Sequence, residues 1–169
     1  LRGINVGGKN RVEMSQLRAL FQSIDLRNIK TYINSGNVIF ESDNKPADLK
    51  ESIEDMIKKE LGLTIRVLII NRNTISDVIR LTPVDWANDY NIKTDVMFLW
   101  QEIDTPSILD KIVVDPEIEN VLYVPGALIW NIKRKYASIG NGIKLIKTDL
   151  YKQMTVRNIN TVRKLNLLM

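Results

Sequence analysis

The sequence predicts an α+β protein built from two ferredoxin-like halves of the β-α-β-β-α-β type in tandem, with a C-terminal helix. Apolar residues recur at helical spacing in several segments, short alternating segments lie between them, and the second half repeats the element order of the first. We place the first half at residues 1–72, a connecting helix and linker at 73–93, and the related second half at 94–169.

The first half shows the pattern most clearly. Its expected elements, in order, are a strand at 1–6, a helix at 13–24, strands at 27–33 and 38–41, a helix at 49–61 and a strand at 65–70. Met14, Leu17 and Phe21 mark the first helix, because residues three and four apart share one helix face. Pro46 suits the first turn of the second helix, and Gly62 suits its end.

The second half repeats this order with weaker signals. The expected elements are a helix at 73–81, a strand at 95–100, a helix at 106–114 capped by Thr105, strands at 118–124 and 127–132, helical character at 143–151 and a last helix capped by Thr155. The Pro125-Gly126 pair predicts the turn between the two strands. The similarity between the halves lies in element order and is weak at the level of residues.

Composition excludes several kinds of site. The 169 residues include no Cys and no His, which removes disulfides, thiol catalysis, His-ligated zinc and a Ser-His-Asp triad. Any acid–base chemistry would fall to Asp, Glu, Lys or Tyr, and whether the protein is an enzyme stays open. The net charge of +4 permits an acidic partner without requiring one.

The chain carries no apolar run long enough to span a membrane and no signal-peptide pattern at its start. We therefore expect a cytoplasmic protein with no membrane partner. The first residue is Leu1 rather than Met, so a few residues are expected upstream. The sequence identifies no cofactor, predicts no metal site and leaves the oligomeric state open.

The opening stretch is the first candidate site. Gly7 and Gly8 allow a tight turn in which successive N–H groups can hold an anion. Arg2, Lys9 and Arg11 add positive charge, and Arg can bind phosphate or carboxylate through two donors. The alternative is a turn with a structural role only.

A sharper interpretation of the same stretch is a phosphate loop. Gly3, Gly8 and Lys9 match G-x-x-x-x-G-K, but Asn10 stands where that motif has Ser or Thr, and helical periodicity starts only near Met14. These two departures make the phosphate loop the least favoured of the three interpretations.

The last helix carries the second candidate site. Arg157, Thr161 and Lys164 are expected on one helix face, flanked by Asn158 and Asn160, with the helix N-terminus at Thr155 nearby. A solvated cationic face is the structural alternative. Asp85 and Asp89 could form a metal or acid pair, but a solvated turn is the favoured explanation. Tyr32 could stack on a nucleic-acid base, but packing within the strand is the favoured explanation.

Three motifs, LRGINVGGKN, TYINSGNVIF and TVRNINTVRKL, together resemble the bacterial family called domain of unknown function 1697. The resemblance spans nearly the whole chain and implies a small cytoplasmic α+β protein with no assigned reaction. In the last motif Ile159 stands where relatives more often have Trp. The motifs are rich in donors and turn-forming residues, which suit ligand contact on loops. The motif residues that we predict to bind a ligand are Arg2, Asn5, Gly7, Gly8, Lys9, Asn10, Ser35, Asn37, Thr155, Arg157, Asn158, Asn160 and Thr161.

The first hypothesis is a binding protein for a phosphorylated or other anionic small ligand, held by Gly7, Gly8 and Lys9 and clamped by Arg2 and Arg157. The second is a nucleic-acid-binding protein that uses basic residues such as those at 133–135 and the last helix. An enzyme of phosphoryl or acyl transfer is a third, with Lys9 and Arg157 as electrostatic stabilisers. A protein–protein adaptor with exposed Trp residues is a fourth.

Overall fold

A computed structural model describes all residues, Leu1–Met169, as a mixed α/β protein with two small antiparallel sheets. The chain forms two compact units: the first comprises Leu1–Ile69 with Leu168–Met169, and the second comprises Ile70–Leu167. Residues 73–93, which were expected to connect the halves, therefore belong to the second unit. None of the helices has both the length and the apolar composition needed to cross a bilayer.

The helices and the hairpin predicted for the first unit are confirmed. They are α1 (Met14–Gln22), β1 (Arg27–Tyr32), β2 (Asn37–Glu41) and α2 (Pro46–Leu61). β1 and β2 pair antiparallel, with a bulge between Arg27 and Lys30. Apolar residues of both helices, including Phe21 and Ile53, pack in one core with Ile29 of β1. α2 ends at Gly62, which adopts the left-handed conformation.

The strands predicted at 1–6 and 65–70 are wrong, because neither segment forms a strand. Gly3 and Asn5 have φ of +74° and +55°, outside the extended region, so the backbone of this segment does not run on as a regular strand. In the second segment the N–H of Val67 donates to Oε1 of Glu54 instead of to a neighbouring strand. The two segments still touch, since the N–H of Arg2 donates to the carbonyl of Arg66 at 3.0 Å.

The second unit contains a four-stranded sheet and three helices. In order, they are α3 (Arg72–Leu81), β3 (Ile92–Leu99), β4 (Glu119–Val124), β5 (Ala127–Lys133), α4 (Asn141–Leu145), β6 (Met154–Asn158) and α5 (Ile159–Leu168). The strand order is β4-β5-β3-β6, and every neighbouring pair is antiparallel. The predicted helix at 73–81 and the strands around Pro125-Gly126 are confirmed.

Three local predictions in this unit need correction. The helix expected at 106–114 is a 3-10 helix, Pro106–Lys111, and the Thr105 hydroxyl contacts Ser107 Oγ at 2.8 Å rather than capping it. Helical character at 143–151 is confined to α4 and a 3-10 turn, Tyr151–Gln153. Thr155 does not cap the last helix, because it lies inside β6 and the helix starts at Ile159.

The sheet of the second unit buries apolar residues on both sides. Met97, Leu128, Trp130 and Met154 pack with Leu145 of α4 in one cluster. The alternate residues, among them Val96, Phe98 and Ile129, are also buried. A hydrogen bond of 3.0 Å from Ser76 Oγ to Asn166 Oδ1 joins α3 to α5. The sheet is therefore a covered scaffold for the side chains described below.

Candidate functional site

The opening stretch folds into a minimal hairpin of residues 5–10, called here the N-terminal hairpin. Val6 and Lys9 form an antiparallel bridge, the N–H of Lys9 donates to the Val6 carbonyl, and the N–H of Asn5 donates to the Asn10 carbonyl. Gly7 and Gly8 lie at the two central positions with φ of +57° and +76°. Positive φ at both positions is the signature of a type I′ turn, which glycine adopts without steric cost.

The side chain of Asn5 fixes this hairpin to the rest of the first unit. Its Nδ2 donates to the carbonyls of Val12 and Asn34, and its Oδ1 accepts from the N–H of Val12, each at 2.9 Å. Asn10 Nδ2 donates in the same way to the Gly3 carbonyl at 3.0 Å. Asn5 and Asn10 both have positive φ, which Asn tolerates better than most residues. Their amide groups are therefore committed to the backbone.

The turn of the β1–β2 hairpin lies against the opening stretch, so the structure brings two of the predicted motifs together. The backbone nitrogen of Leu1 donates to the Gly36 carbonyl at 2.9 Å. Asn37 is buried and donates to Ser35 Oγ and to the Tyr32 carbonyl. Ser35 and Asn37, predicted as ligand-binding, thus have an architectural role in shaping the turn.

The tip of the N-terminal hairpin is open to solvent. Residues 6–11 are all exposed, and Arg2 is half-buried. No acceptor within the protein binds the N–H groups of Gly7 and Gly8, and no atom lies within 4 Å of a Cβ built on either glycine. Lys9 follows these two residues directly in the chain, and backbone donors together with a cation are features of anion-binding sites.

The phosphate-loop interpretation is wrong on this geometry. Lys9 lies on the returning arm of a hairpin, and α1 starts only at Met14. A phosphate loop instead leads directly into the helix whose N-terminus faces the phosphate. Any anion here would be bound by a turn and side chains, without the help of a helix dipole.

The second predicted group lies in the second unit and is arranged differently from the prediction. Arg157 is on β6, opposite Val96 of β3, so it does not share a helix face with Thr161. Asn158 is the residue that caps α5, because its Oδ1 accepts from the N–H of Thr161 at 2.8 Å. Asn160 Nδ2 donates to the Asn88 carbonyl.

The environment of Arg157 is the most unusual of this group. Its Nη1 donates to the Val156 carbonyl at 2.7 Å and to Thr155 Oγ1 at 3.3 Å, and Thr155 and Thr161 are buried. Burial lowers the pKa of the Arg157 guanidinium, because removal from water disfavours the charged form. The hairpin group and this group belong to different units, and the hypothesis that they share one anion stays a prediction.

One member of the acidic pair, Asp89, and one member of the basic run, Arg134, have structural partners. Asp85 and Asp89 lie in turns rather than on a helix, and Asp89 Oδ1 accepts from the N–H groups of Asn91 and Ile92. These two bonds lower the pKa of Asp89. Arg134 donates to the Asp89 carbonyl and to Asn88 Oδ1, so this exposed cation fastens the turn to the end of β5.

Sequence reasoning missed a cavity of about 120 Å³ in the second unit, called here the Trp130 cavity. Its apolar walls include Met97 and Trp130 of the sheet, Ile143 of α4 and Ile146, the residue after α4. Glu119 is the buried acid among the lining residues. Glu119 is only 2% exposed. The sequence around Glu119, DPEIEN at residues 115–120, contains three acids, and nothing in it indicates that one of them is buried.

Comparisons with known proteins identify a family for this chain and a solved structure with a similar fold. A family model described as "Protein of unknown function (DUF1697)" matches residues 1–130. The chain is similar to the structure of the conserved bacterial protein SP0830 from Streptococcus pneumoniae, with a TM-score of 0.84 and 25% identity over 99% of this chain and 94% of that chain. A search of curated proteins finds no match.

Proposed function

Because this chain belongs to the DUF1697 family, a family of proteins of unknown function, we propose from its own geometry that it binds a phosphorylated or other anionic small ligand at the N-terminal hairpin. The observation that carries the proposal is the exposed tip, where the N–H groups of Gly7 and Gly8 have no acceptor and Lys9 follows directly. Backbone donors next to an ammonium form charge-assisted hydrogen bonds with phosphate oxygens.

The rigidity of the hairpin supports this proposal. The Asn5 side chain holds the base of the hairpin with three hydrogen bonds, so the base is fixed before a ligand arrives. A pre-ordered site loses less entropy on binding than a flexible loop does. Glycines at the tip also leave the N–H groups uncovered, because neither residue carries a side chain that could shield them.

A nucleic acid is the second candidate ligand, and one observation favours it. All six residues from 6 to 11 are exposed, including Lys9 and Arg11, so the tip offers a long polyanion access from several directions. Phosphate contacts of this kind release counterions, and the affinity then falls steeply as salt is added. A small ligand held by a few short hydrogen bonds is less sensitive to salt.

The experiment is thermal unfolding of the full chain with inorganic phosphate, nucleotides, sugar phosphates and a short single-stranded RNA, at low and moderate salt. A ligand at about one hundred times its Kd stabilises by roughly 2.7 kcal/mol, which raises Tm by about 5–10 °C for a chain of this length. A shift with one small phosphate compound that survives added salt supports the first candidate. A shift with RNA alone, lost in salt, supports the second.

Two variants of the hairpin and one control variant locate the effect. Lys9→Ala should remove the shift, whereas Lys58→Ala, which deletes an exposed lysine on α2, should retain it. Gly8→Ala places a methyl group where no protein atom lies within 4 Å. Because Gly8 has φ of +76°, where alanine is strained, this variant tests the turn that presents the N–H groups and not the packing around it. An unchanged shift in both Lys9→Ala and Gly8→Ala would contradict the proposed site.

We also propose that the second unit has the ferredoxin-like arrangement that the sequence suggests for both halves. Its strand order β4-β5-β3-β6 is antiparallel throughout, with the first and third strands of the unit at the centre, as in a split β-α-β unit. The first unit has only β1 and β2 as strands, so its relation to the same arrangement rests on element order alone.

A further inference from the structure

We propose that the Trp130 cavity binds a small organic cation, an ammonium group carried on a short apolar body. The proposal does not depend on the proposed function of the N-terminal hairpin. It rests on three observations within the second unit: the size of the cavity, its apolar walls, and a buried carboxylate that has no cationic partner.

The size and walls of the cavity suit a body about as large as one ring. Its volume is about 120 Å³, and an engineered apolar cavity of roughly 150 Å³ is known to bind benzene. Met97 and Trp130 are buried beneath it, whereas Ile143 and Ile146 are 44% and 51% exposed at its edge. Exposed apolar side chains that border a cavity are typical of ligand sites, because a ligand removes them from water.

The carboxylate of Glu119 determines the charge of the ligand. Glu119 Oε1 accepts from Trp130 Nε1 at 3.2 Å and from the N–H of Gly142 at 3.0 Å, and Oε2 accepts from the N–H of Asp115 at 3.0 Å. All three partners are donors, so both oxygens act as acceptors, as in an ionised carboxylate. No Lys or Arg forms an ion pair with Glu119.

The other charges in the cavity cancel each other. Lys93 Nζ lies 3.0 Å from Asp95 Oδ2, and both residues line the cavity. With that pair neutralised, Glu119 leaves one net negative charge on the wall. A buried carboxylate without a counter-charge is unfavourable, and an ammonium ligand would relieve this cost, whereas a carboxylate ligand would increase it.

The test uses three probes of nearly equal shape: benzylammonium, benzyl alcohol and benzoate. Binding is followed by the NMR signal of the Trp130 indole N–H, because that group donates directly to Glu119. The signal is assigned by its loss in Trp130→Phe. We expect benzylammonium to shift this signal with saturation at millimolar concentration or below, benzyl alcohol to bind at least tenfold more weakly, and benzoate to cause no shift.

Variants separate the charge from the cavity. Glu119→Gln should weaken benzylammonium binding at least tenfold, while Glu117→Gln, at an exposed acid nearby, should leave it unchanged. If Glu119→Gln does not fold, Ala137→Leu keeps the carboxylate and fills the cavity, and it should abolish binding. Equal affinity for benzylammonium and benzyl alcohol, absence of binding by the native chain, or full binding by Ala137→Leu would each overturn the proposal.

Discussion

Replacement of Asn5 tests the idea that the asparagines of the opening stretch are architectural. Asn5→Gly removes three side-chain hydrogen bonds to Val12 and Asn34, each contributing about 1 kcal/mol net. Because the side chain is half-buried, we expect a loss of roughly 2–3 kcal/mol in the free energy of unfolding. Asn5→Ala should lose about 1 kcal/mol more, since alanine is strained at the φ of +55° that glycine accepts.

Urea unfolding measures these losses, and hydrogen exchange at the Val12 amide locates them, because that N–H donates to Asn5 Oδ1. Asn10→Gly is the matched control. It removes a single side-chain bond, to the Gly3 carbonyl, at another positive φ, and should cost only about 1 kcal/mol. The reasoning is refuted if Asn5→Gly lies within about 0.5 kcal/mol of the native chain, or if Val12 exchange does not accelerate.

Four further predictions follow from local geometry. Ile33 is a β-branched, 47% exposed residue at φ +47°, so Ile33→Asn should raise stability by about 1 kcal/mol in urea unfolding, and a loss of stability would contradict this strain. Gly126→Ala should destabilise by about 1–3 kcal/mol, because its Cβ would lie 2.7 Å from Thr74 Cγ2; Thr74→Ser should restore part of the loss, and no recovery would exclude the contact as its cause. Asn158→Ala should cost about 1 kcal/mol through loss of the α5 cap, whereas Asn158→Asp should retain it; equal losses would argue against capping. The pKa of Asp89 is lowered in the folded chain from about 3.8, so its contribution to stability is present above that pH and is lost as the pH falls through the lower folded value; unfolding curves measured from pH 5 downward should lose less stability in Asp89→Asn, and parallel curves would contradict the assignment.

The helices α1 and α2 and the β1–β2 hairpin could be predicted because the sequence signals for them are local. The spacing of Met14, Leu17 and Phe21 specifies the buried face of α1, and Gly62 marks the end of α2. The strands expected at 1–6 and 65–70 failed because a strand also needs a partner with matching backbone. The positive φ at both Gly3 and Asn5 takes the backbone of the first segment out of the extended conformation, and no pattern of apolar residues reveals that.

Of the candidate sites, the N-terminal turn could be predicted from the sequence, whereas the α5 cap and the buried Glu119 could not. Gly7, Gly8 and Lys9 were identified as a turn with donors and a cation, and they form a tight exposed turn; whether an anion binds there stays a prediction. The cap of the last helix was predicted at Thr155 and lies at Asn158; both residue types cap helices, so residue type alone could not locate the helix start. Glu119 was missed because its burial depends on Trp130 and Gly142, which come near only through the sheet and α4.

The direct junction between β6 and α5 limits how this chain can change in length. Asn158 pairs with Asp95 as the last strand residue and also caps the helix that begins at Ile159, so no loop separates the two elements. One residue inserted after Asn158 would rotate the helix by about 100° relative to the strand, given 3.6 residues per turn. Ile159 and Val162, both fully buried, would turn away from the core. Natural or engineered insertions should therefore be rejected here and tolerated instead in exposed loops such as residues 43–45, between β2 and α2.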